Sequence, residues 1–146
     1  MSSSLTIAGD HFFKSGITIG SLYDDNLFFD NKDDFETYAS PELSYLYEQE
    51  SSSAMIGARF DLFRYFEFDE YNRVNQFYEA TLSSNLNENM DVGLDSYLSI
   101  DNTFNEELEE TGLVTKKNKR YRFMIEPDIG IDITPKDSIN LALRHN

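Results

Sequence analysis

The chain has 146 residues, enough for one domain or for part of one, and its 27 acidic against 12 basic residues give a formal charge of −15. So acidic a surface would repel nucleic acid, because binding to the phosphate backbone rests on lysine and arginine contacts. The absence of cysteine excludes disulfides, thiolate zinc sites and cysteine nucleophiles.

The hydrophobic pattern also excludes a helical membrane protein. No apolar run approaches the roughly 18 residues that a membrane helix needs. A β-barrel stays open, because its spans alternate apolar and polar residues and are weakly hydrophobic on average. The first residues, MSSSLTIAGDHFFK, predict no signal peptide, so an exported protein would be represented here by its mature or trimmed form.

Apolar and polar residues alternate along most of the chain, which is the pattern of β-strands. In chain order, we predict strands at residues 3–8, 13–23, 35–47, 54–68, 74–86, 92–100, 121–134 and 139–143. The segment 121–134 has Tyr, Phe, Ile or Pro at its odd positions and mostly charged residues at its even ones. Its length exceeds the usual five or six residues and suits a tilted membrane crossing, which needs roughly nine to eleven.

The connections between the predicted strands differ in length. Long ones are predicted at 24–34 and at 102–120, the second being the longest irregular segment. Short turns are predicted at 48–53, 87–89 and 135–137. Outer-membrane barrels have short turns at one rim and longer loops at the other, and only the short loop 69–72 departs from that alternation.

Two prolines lie inside predicted strands. Pro41 and Pro127 each remove a ladder donor, and proline within sheets is confined mainly to edges and bulges. Each is therefore expected to mark a bulge or a local break in pairing.

Two short segments carry a resemblance to a known family. The sequence YDDNLF at 23–28, followed by SPELSY at 40–45, resembles the opening of porin-like outer-membrane β-barrels of Proteobacteria, including those associated with exopolysaccharide export. The resemblance covers about the first third of the chain. It implies a larger barrel that is made with a signal peptide and closed by a strand ending in an aromatic residue. This chain lacks both features, so we expect it to be a piece of a longer barrel.

The predicted fold class is all-β: an antiparallel up-and-down transmembrane β-barrel of about seven or eight long strands, or part of a larger one, in a single domain over residues 1–146. Bacterial single-chain barrels have even strand numbers from eight upward, and an open edge is not tolerated in lipid. A soluble sandwich or barrel shows the same alternation, and its Ile and Phe faces would form a pocket for a small apolar ligand. A non-conducting structural barrel is the third interpretation.

If the apolar faces contact lipid, the opposite faces line the interior. The predicted lumen-lining residues are Glu42, Arg59, Asp61, Asp95, Tyr97, Arg122, Glu126, Asp128 and Asp132. Most are acidic, with Arg59 and Arg122 as the expected partners, and a carboxylate-lined lumen favours cations. Tyr97 and other tyrosines suit stacking on saccharides, the second class of solute. In a small barrel the same residues would form an ion-pair network that fills the interior.

Oppositely charged runs occupy the segment 102–120. The acidic run 106–110 is expected to pair with the basic run 116–120 across a bend at Gly112. The alternative is a contact between the basic residues and the phosphates of lipopolysaccharide. The residues of that alternative are Lys116, Lys117, Lys119 and Arg120.

No catalytic or metal site is predicted. His11 and His145 lie near opposite ends of the chain. The acids of the loop 24–34 do not follow the calcium-loop spacing, so a solvated loop is favoured over a calcium site. The sequence therefore predicts a porin-like channel or export component of a Gram-negative outer membrane, with lipid as its partner and with no enzymatic activity and no cofactor.

Overall fold

The computed structural model describes residues 9–24, 33–109, 112–134 and 136–145, and for Asp24 and residues 103–117 it describes the backbone only. Within these ranges the chain forms one antiparallel sheet of seven strands in sequence order. The strands are β1 (Asp10–Asp24), β2 (Asp34–Gln49), β3 (Ser52–Tyr65), β4 (Arg73–Asn87), β5 (Met90–Glu109), β6 (Gly112–Thr134) and β7 (Asp137–Ala142). In this part of the chain the one helical segment is a 3-10 turn, Asp69–Tyr71, and no helix is long and apolar enough to cross a membrane.

The all-β antiparallel up-and-down architecture is thereby confirmed. The sheet is open, with β1 and β7 at its edges, so closure into a barrel stays a prediction. The strand predicted at 3–8 lies outside the described residues, as does most of the loop predicted at 24–34.

The prediction of an irregular segment at 102–120 is wrong. β5 and β6 continue through it and pair with each other as far as Glu109 and Gly112. The charged runs hid the strands, because a hairpin that projects beyond its neighbours has no core face and shows no apolar alternation. Backbone pairing of two consecutive strands is sufficient to continue the ladder there.

The predicted end of the third long strand is also wrong. β3 ends at Tyr65 rather than at residue 68, so the connection to β4 covers residues 66–72. The last apolar residues of the predicted strand belong to this connection, whose backbone is held by Asp34. The connection is therefore longer than the four-residue loop expected from the sequence.

The two prolines mark local breaks in pairing and not bulges. In the β2–β3 ladder, Ser40 and Pro41 have no partner in β3, and the register is the same on both sides of the gap. On β6, the continuous ladder to β7 begins just after Pro127, and before it lies only an isolated bridge between Ile125 and His145. The register shifts of the sheet lie elsewhere, next to two of the turns.

The connections differ between the two ends of the sheet, as predicted. Residues 50–51, 88–89 and 135–136 are the short connections, and we call this the short-turn end. At the opposite end, residues 25–33 follow β1, residues 66–72 follow β3, and the β5–β6 hairpin projects beyond the start of β4. We call this the long-loop end.

The register brings all the predicted apolar strand faces to one side of the sheet. Directly paired residues of antiparallel strands lie on the same side. One such row crosses five strands through Leu43, Ala58, Tyr78, Leu98 and Phe123. We call this side the apolar face, and the opposite side the charged face.

The charged face is the sheltered side of the sheet. All four residues that are buried among those described lie on it: Asp34, Ser99, Asp101 and Gly130. On the apolar face, Phe13 is 77% exposed and Ile19 is 72% exposed. A soluble one-layer sheet would bury its apolar side, so the burial here is reversed.

Candidate functional site

The candidate site is the charged face. The structure places all nine predicted lumen-lining residues on it: Glu42, Arg59, Asp61, Asp95, Tyr97, Arg122, Glu126, Asp128 and Asp132. Direct cross-strand pairs join Glu42 to Arg59 and Asp95 to Glu126. The alternation within each strand was therefore sufficient to group them.

An arginine cluster on β5 and β6 was missed by sequence reasoning. Asp101, which is 6% exposed, accepts two hydrogen bonds from Arg120, at 2.9 and 3.0 Å. Arg122 donates to the same carboxylate at 2.6 Å and to the Ser99 hydroxyl at 3.1 Å. Charge-assisted and bidentate contacts of this kind are strong. Asp101 and Ser99 are in phase with Asp95, a signal that could have identified them.

The other two arginines of the charged face in the long-loop half also have acidic partners. Arg59 lies 3.2 Å from Asp61 and stacks over the ring of Phe77 at 4.5 Å. Arg73 lies 3.3 Å from Glu36. Arg59 therefore pairs with an acid of the predicted set, whereas Arg122 pairs with Asp101, which lies outside it.

The short-turn half of the charged face is acidic. Its carboxylates are those of Asp10, Glu48, Asp91, Asp95, Glu126, Asp128 and Asp132. Arg144 is paired with Glu126, and Thr81 donates a hydrogen bond to Asp95 at 2.8 Å. Among the described side chains, no cation lies within ion-pair distance of the other five carboxylates. Positive charge thus concentrates towards the long loops and negative charge towards the short turns.

Glycines on the charged face let carboxylates lie against the sheet. A Cβ atom on Gly57 would lie 2.7 Å from Oε1 of Glu79, and one on Gly16 would lie 2.7 Å from Oε1 of Glu42. These side chains therefore pack over bare backbone. Between them opens a cleft of about 440 Å³, which Tyr97 also lines.

Asp34 fixes the connection between β3 and β4 at the long-loop end. Its buried carboxylate accepts backbone N–H hydrogen bonds from Phe35 at 2.6 Å, Phe66 at 3.1 Å and Phe68 at 3.1 Å, and also bonds the N–H of Glu67. Burial raises the pKa of the Asp34 carboxyl, but these N–H groups outweigh it and hold that pKa below its usual value. The carboxylate is thus occupied by backbone donors and is not available to the calcium ion considered from the sequence.

Asp33, the other loop acid with a described side chain, and the two histidines have separate surroundings, whereas the calcium interpretation of the other loop acids lies outside the described residues. Asp33 accepts a hydrogen bond from the Tyr23 hydroxyl at 3.0 Å. Nδ1 of His11 lies 2.6 Å from the Tyr45 hydroxyl, on the apolar face. His145 bridges to β6 beyond the end of β7. The structure therefore places the two histidines on opposite edges of the sheet.

The basic run divides between the two faces. Lys119 lies opposite Asn102 on the apolar face, whereas Arg120 lies opposite Asp101 on the charged face. For Lys116 and Lys117 only the backbone is described, with Lys116 opposite Asn105. The register places the acidic run nearer the hairpin tip than the basic run, with Glu106 opposite Thr115. The pairing of their side chains lies outside the described part of the chain and stays a prediction.

Comparison with known proteins gives no significant match to a family model, to a curated protein or to a solved structure. The resemblance to porin-like barrels therefore rests on the two short segments alone. The second of them, 40–45, lies within β2, and the first extends past β1 beyond the described residues. The class of protein has to be argued from the sheet itself.

Proposed function

We propose that this chain forms part or all of the wall of an outer-membrane β-barrel that acts as a porin-like channel or export component and not as an enzyme. The observation that carries the proposal is an exposed apolar face backed by a sheltered charged face. Membrane barrels are apolar outside and polar inside, the reverse of a soluble barrel. Two-residue connections at one end, against residues 25–33, residues 66–72 and a projecting β5–β6 hairpin at the other, support the same class.

The height of the apolar face fits a bilayer. On β2 this face runs from Phe35, near the long-loop end, to Tyr45, ten residues further along. At about 3.3 Å per residue that is roughly 33 Å along the strand, and a tilt of about 40° reduces it to roughly 25 Å. This is the height of the apolar band of outer-membrane barrels, and aromatic girdles bound such bands at both interfaces.

The same exposure argues against a soluble protein that encloses an apolar ligand. Such a protein would shelter its Ile and Phe side chains. Instead, Leu43 and Ile56, near the middle of the apolar face, are each 55% exposed. The lipid acyl chains of a bilayer are the cover that we propose for them.

The solutes that we propose are small cations. The arginines of the charged face in the long-loop half are paired with Asp61, Asp101 and Glu36, whereas most of the carboxylates of the short-turn half have no cationic partner among the described side chains. A lumen with this lining attracts cations at its short-turn end. Saccharides are the second class, because the cleft beside Tyr97 is open to the charged face.

A single introduced tryptophan tests the orientation of the faces, since the chain contains none. Ile56→Trp places the probe on the apolar face, and Tyr97→Trp places it on the charged face. In vesicles with brominated acyl chains, we expect strong fluorescence quenching at position 56 and weak quenching at position 97. Equal quenching, or failure to enter the vesicles, would contradict the proposal.

Planar-bilayer recordings then separate a channel from a structural barrel. Cation-selective conductance steps are expected from the folded, inserted protein. Their absence from protein that passes the quenching test would favour the non-conducting barrel.

A further inference from the structure

Lys119 lies at the boundary of the apolar face. Along β6 this face runs from Lys119 through Tyr121 and Phe123 to the isoleucines towards the short-turn end. Tyr121 pairs with Ile100 and is well exposed. The switch from charged to apolar side chains therefore occurs at one aromatic residue, near the long-loop end.

The lysine has no acidic partner in the described part of the chain. Its ammonium lies 5.4 Å from the centre of the Tyr121 ring, a cation–π contact that leaves the charge accessible. The adjacent Arg120, on the charged face, is instead neutralised by Asp101. In a chain of net charge −15, an unneutralised cation beside an apolar surface is available to an anion from outside.

A second cation lies at the same boundary. Arg64 is exposed on the apolar face, one position before the end of β3, with no acidic partner among the described side chains. Leu62 of β3 pairs with Val74 of β4, in the row that reaches Lys119 on β6. Arg64 is two residues from Leu62 on the same face, so it lies one row away from Lys119. Three strand spacings separate β3 from β6, about 14 Å. The two cations therefore form a boundary belt and do not converge on one group.

We infer that Lys119 and Tyr121 form a binding site for the headgroup phosphate of an anionic membrane lipid, with Arg64 as a second contact of the same belt. The inference rests on the proposed function, because only a membrane barrel presents this face to lipid. Tyrosine rings are enriched at membrane interfaces, and lysine stems lie along apolar surface while the ammonium reaches the headgroups. Because side chains alternate between the two faces of β6, Lys119 lies on the apolar face and can contact lipid, whereas Arg120 lies on the charged face.

Native mass spectrometry of the full chain, released from vesicles of phosphatidylcholine and phosphatidylglycerol, tests the site. The unchanged chain should retain phosphatidylglycerol in preference to phosphatidylcholine. Lys119→Gln should lower that retention about fivefold, the effect typical of one basic residue near an anionic surface. Lys119→Arg should preserve it. Lys136→Gln is the matched control, because Lys136 lies in the last turn at the opposite end, and it should change nothing.

The outcomes separate the site from the proposed function. Equal retention by the unchanged chain and by Lys119→Gln, in protein that passes the quenching test, overturns the site alone. Failure to insert overturns both. Displacement of the lipid by millimolar inorganic phosphate would overturn the assignment to a membrane lipid and leave a site for free anions.

Discussion

At the scale of single residues, one carboxylate organises the long-loop end of the sheet. Asp34 accepts one backbone hydrogen bond from Phe35, the next residue of β2, and others from the connection after β3. Asp34→Asn removes the charge that strengthens these bonds, and we expect the free energy of unfolding to fall by about 1 to 3 kcal/mol. Urea titration in detergent micelles measures it. Asp33→Asn is the control, because Asp33 is exposed and bonds one hydroxyl.

The same carboxylate predicts a dependence of stability on pH. The pKa of Asp34 in the folded protein lies below its unfolded value, which is about 4. Its contribution is therefore complete above the unfolded pKa and is lost as the pH falls through the folded pKa. The difference in unfolding free energy between the unchanged chain and Asp34→Asn should shrink on acidification. A difference that is constant with pH would contradict this assignment.

Two glycines of the charged face should respond differently to an added methyl group. A Cβ on Gly20 would lie 2.5 to 2.7 Å from the hydroxyl and ring atoms of Tyr38, whereas on Gly57 it would meet the flexible end of Glu79. Gly20→Ala should cost about 1 to 3 kcal/mol, as overpacking does, and Gly57→Ala should cost less. Thermal unfolding in micelles compares them. An equally small loss of unfolding free energy in both variants would show that Tyr38 moves aside freely.

Site residues could be predicted by face but not by partner. The i, i+2 spacing alone groups Asp95, Asp128 and Asp132 on one face. A cross-strand partner depends on register, which the sequence does not state. For this reason Arg122 was assigned to the right face but not to Asp101, which lay just beyond the predicted strand.

At the scale of elements, the β5–β6 hairpin consists of a part within the sheet and a part outside it. Beyond Ile100, β5 has no ladder partner in β4, and only Asn102 still bonds β4, through Asn75 and Val74, among the described side chains. The backbone from Phe104 outward is paired between β5 and β6. Replacing residues 105–116 by Asn-Gly, which joins Phe104 to Lys117 through a two-residue turn, should leave the midpoint of thermal unfolding almost unchanged. Circular dichroism in micelles measures it, and replacing only residues 110–111 is the control. Loss of the β-sheet signal would show that the outer part is needed for folding.

The presence of the strands could be predicted from the sequence, whereas the residues at which they end could not. Alternation is visible wherever one face is apolar, as it is in 121–134. It disappears where both faces meet water, and the outer parts of β5 and β6 were therefore interpreted as a loop. The end of β3 was missed for the opposite reason: Phe66 and Phe68 continue an apolar pattern after the ladder has stopped.

At the scale of the whole molecule, the unequal distribution of charge between the two ends leads to a prediction for conduction. The double variant Asp128→Asn and Asp132→Asn removes two of the seven carboxylates of the short-turn half of the charged face. The reversal potential under a salt gradient should move towards zero, because fewer fixed charges select cations. Asp33→Asn, at the opposite end, should leave it unchanged. An unaltered reversal potential in the double variant would show that these residues do not set selectivity.

Before its strands pair, this chain presents almost no continuous apolar surface. Its apolar residues are separated one by one by polar ones, and repulsion between like charges at −15 keeps the extended polymer dispersed. The apolar face forms only after backbone hydrogen bonding between strands has placed alternate residues on one side of the sheet. A bilayer or a micelle that binds this side therefore captures a species that is already partly folded. For the proposed barrel, binding to the membrane and formation of the sheet are therefore coupled.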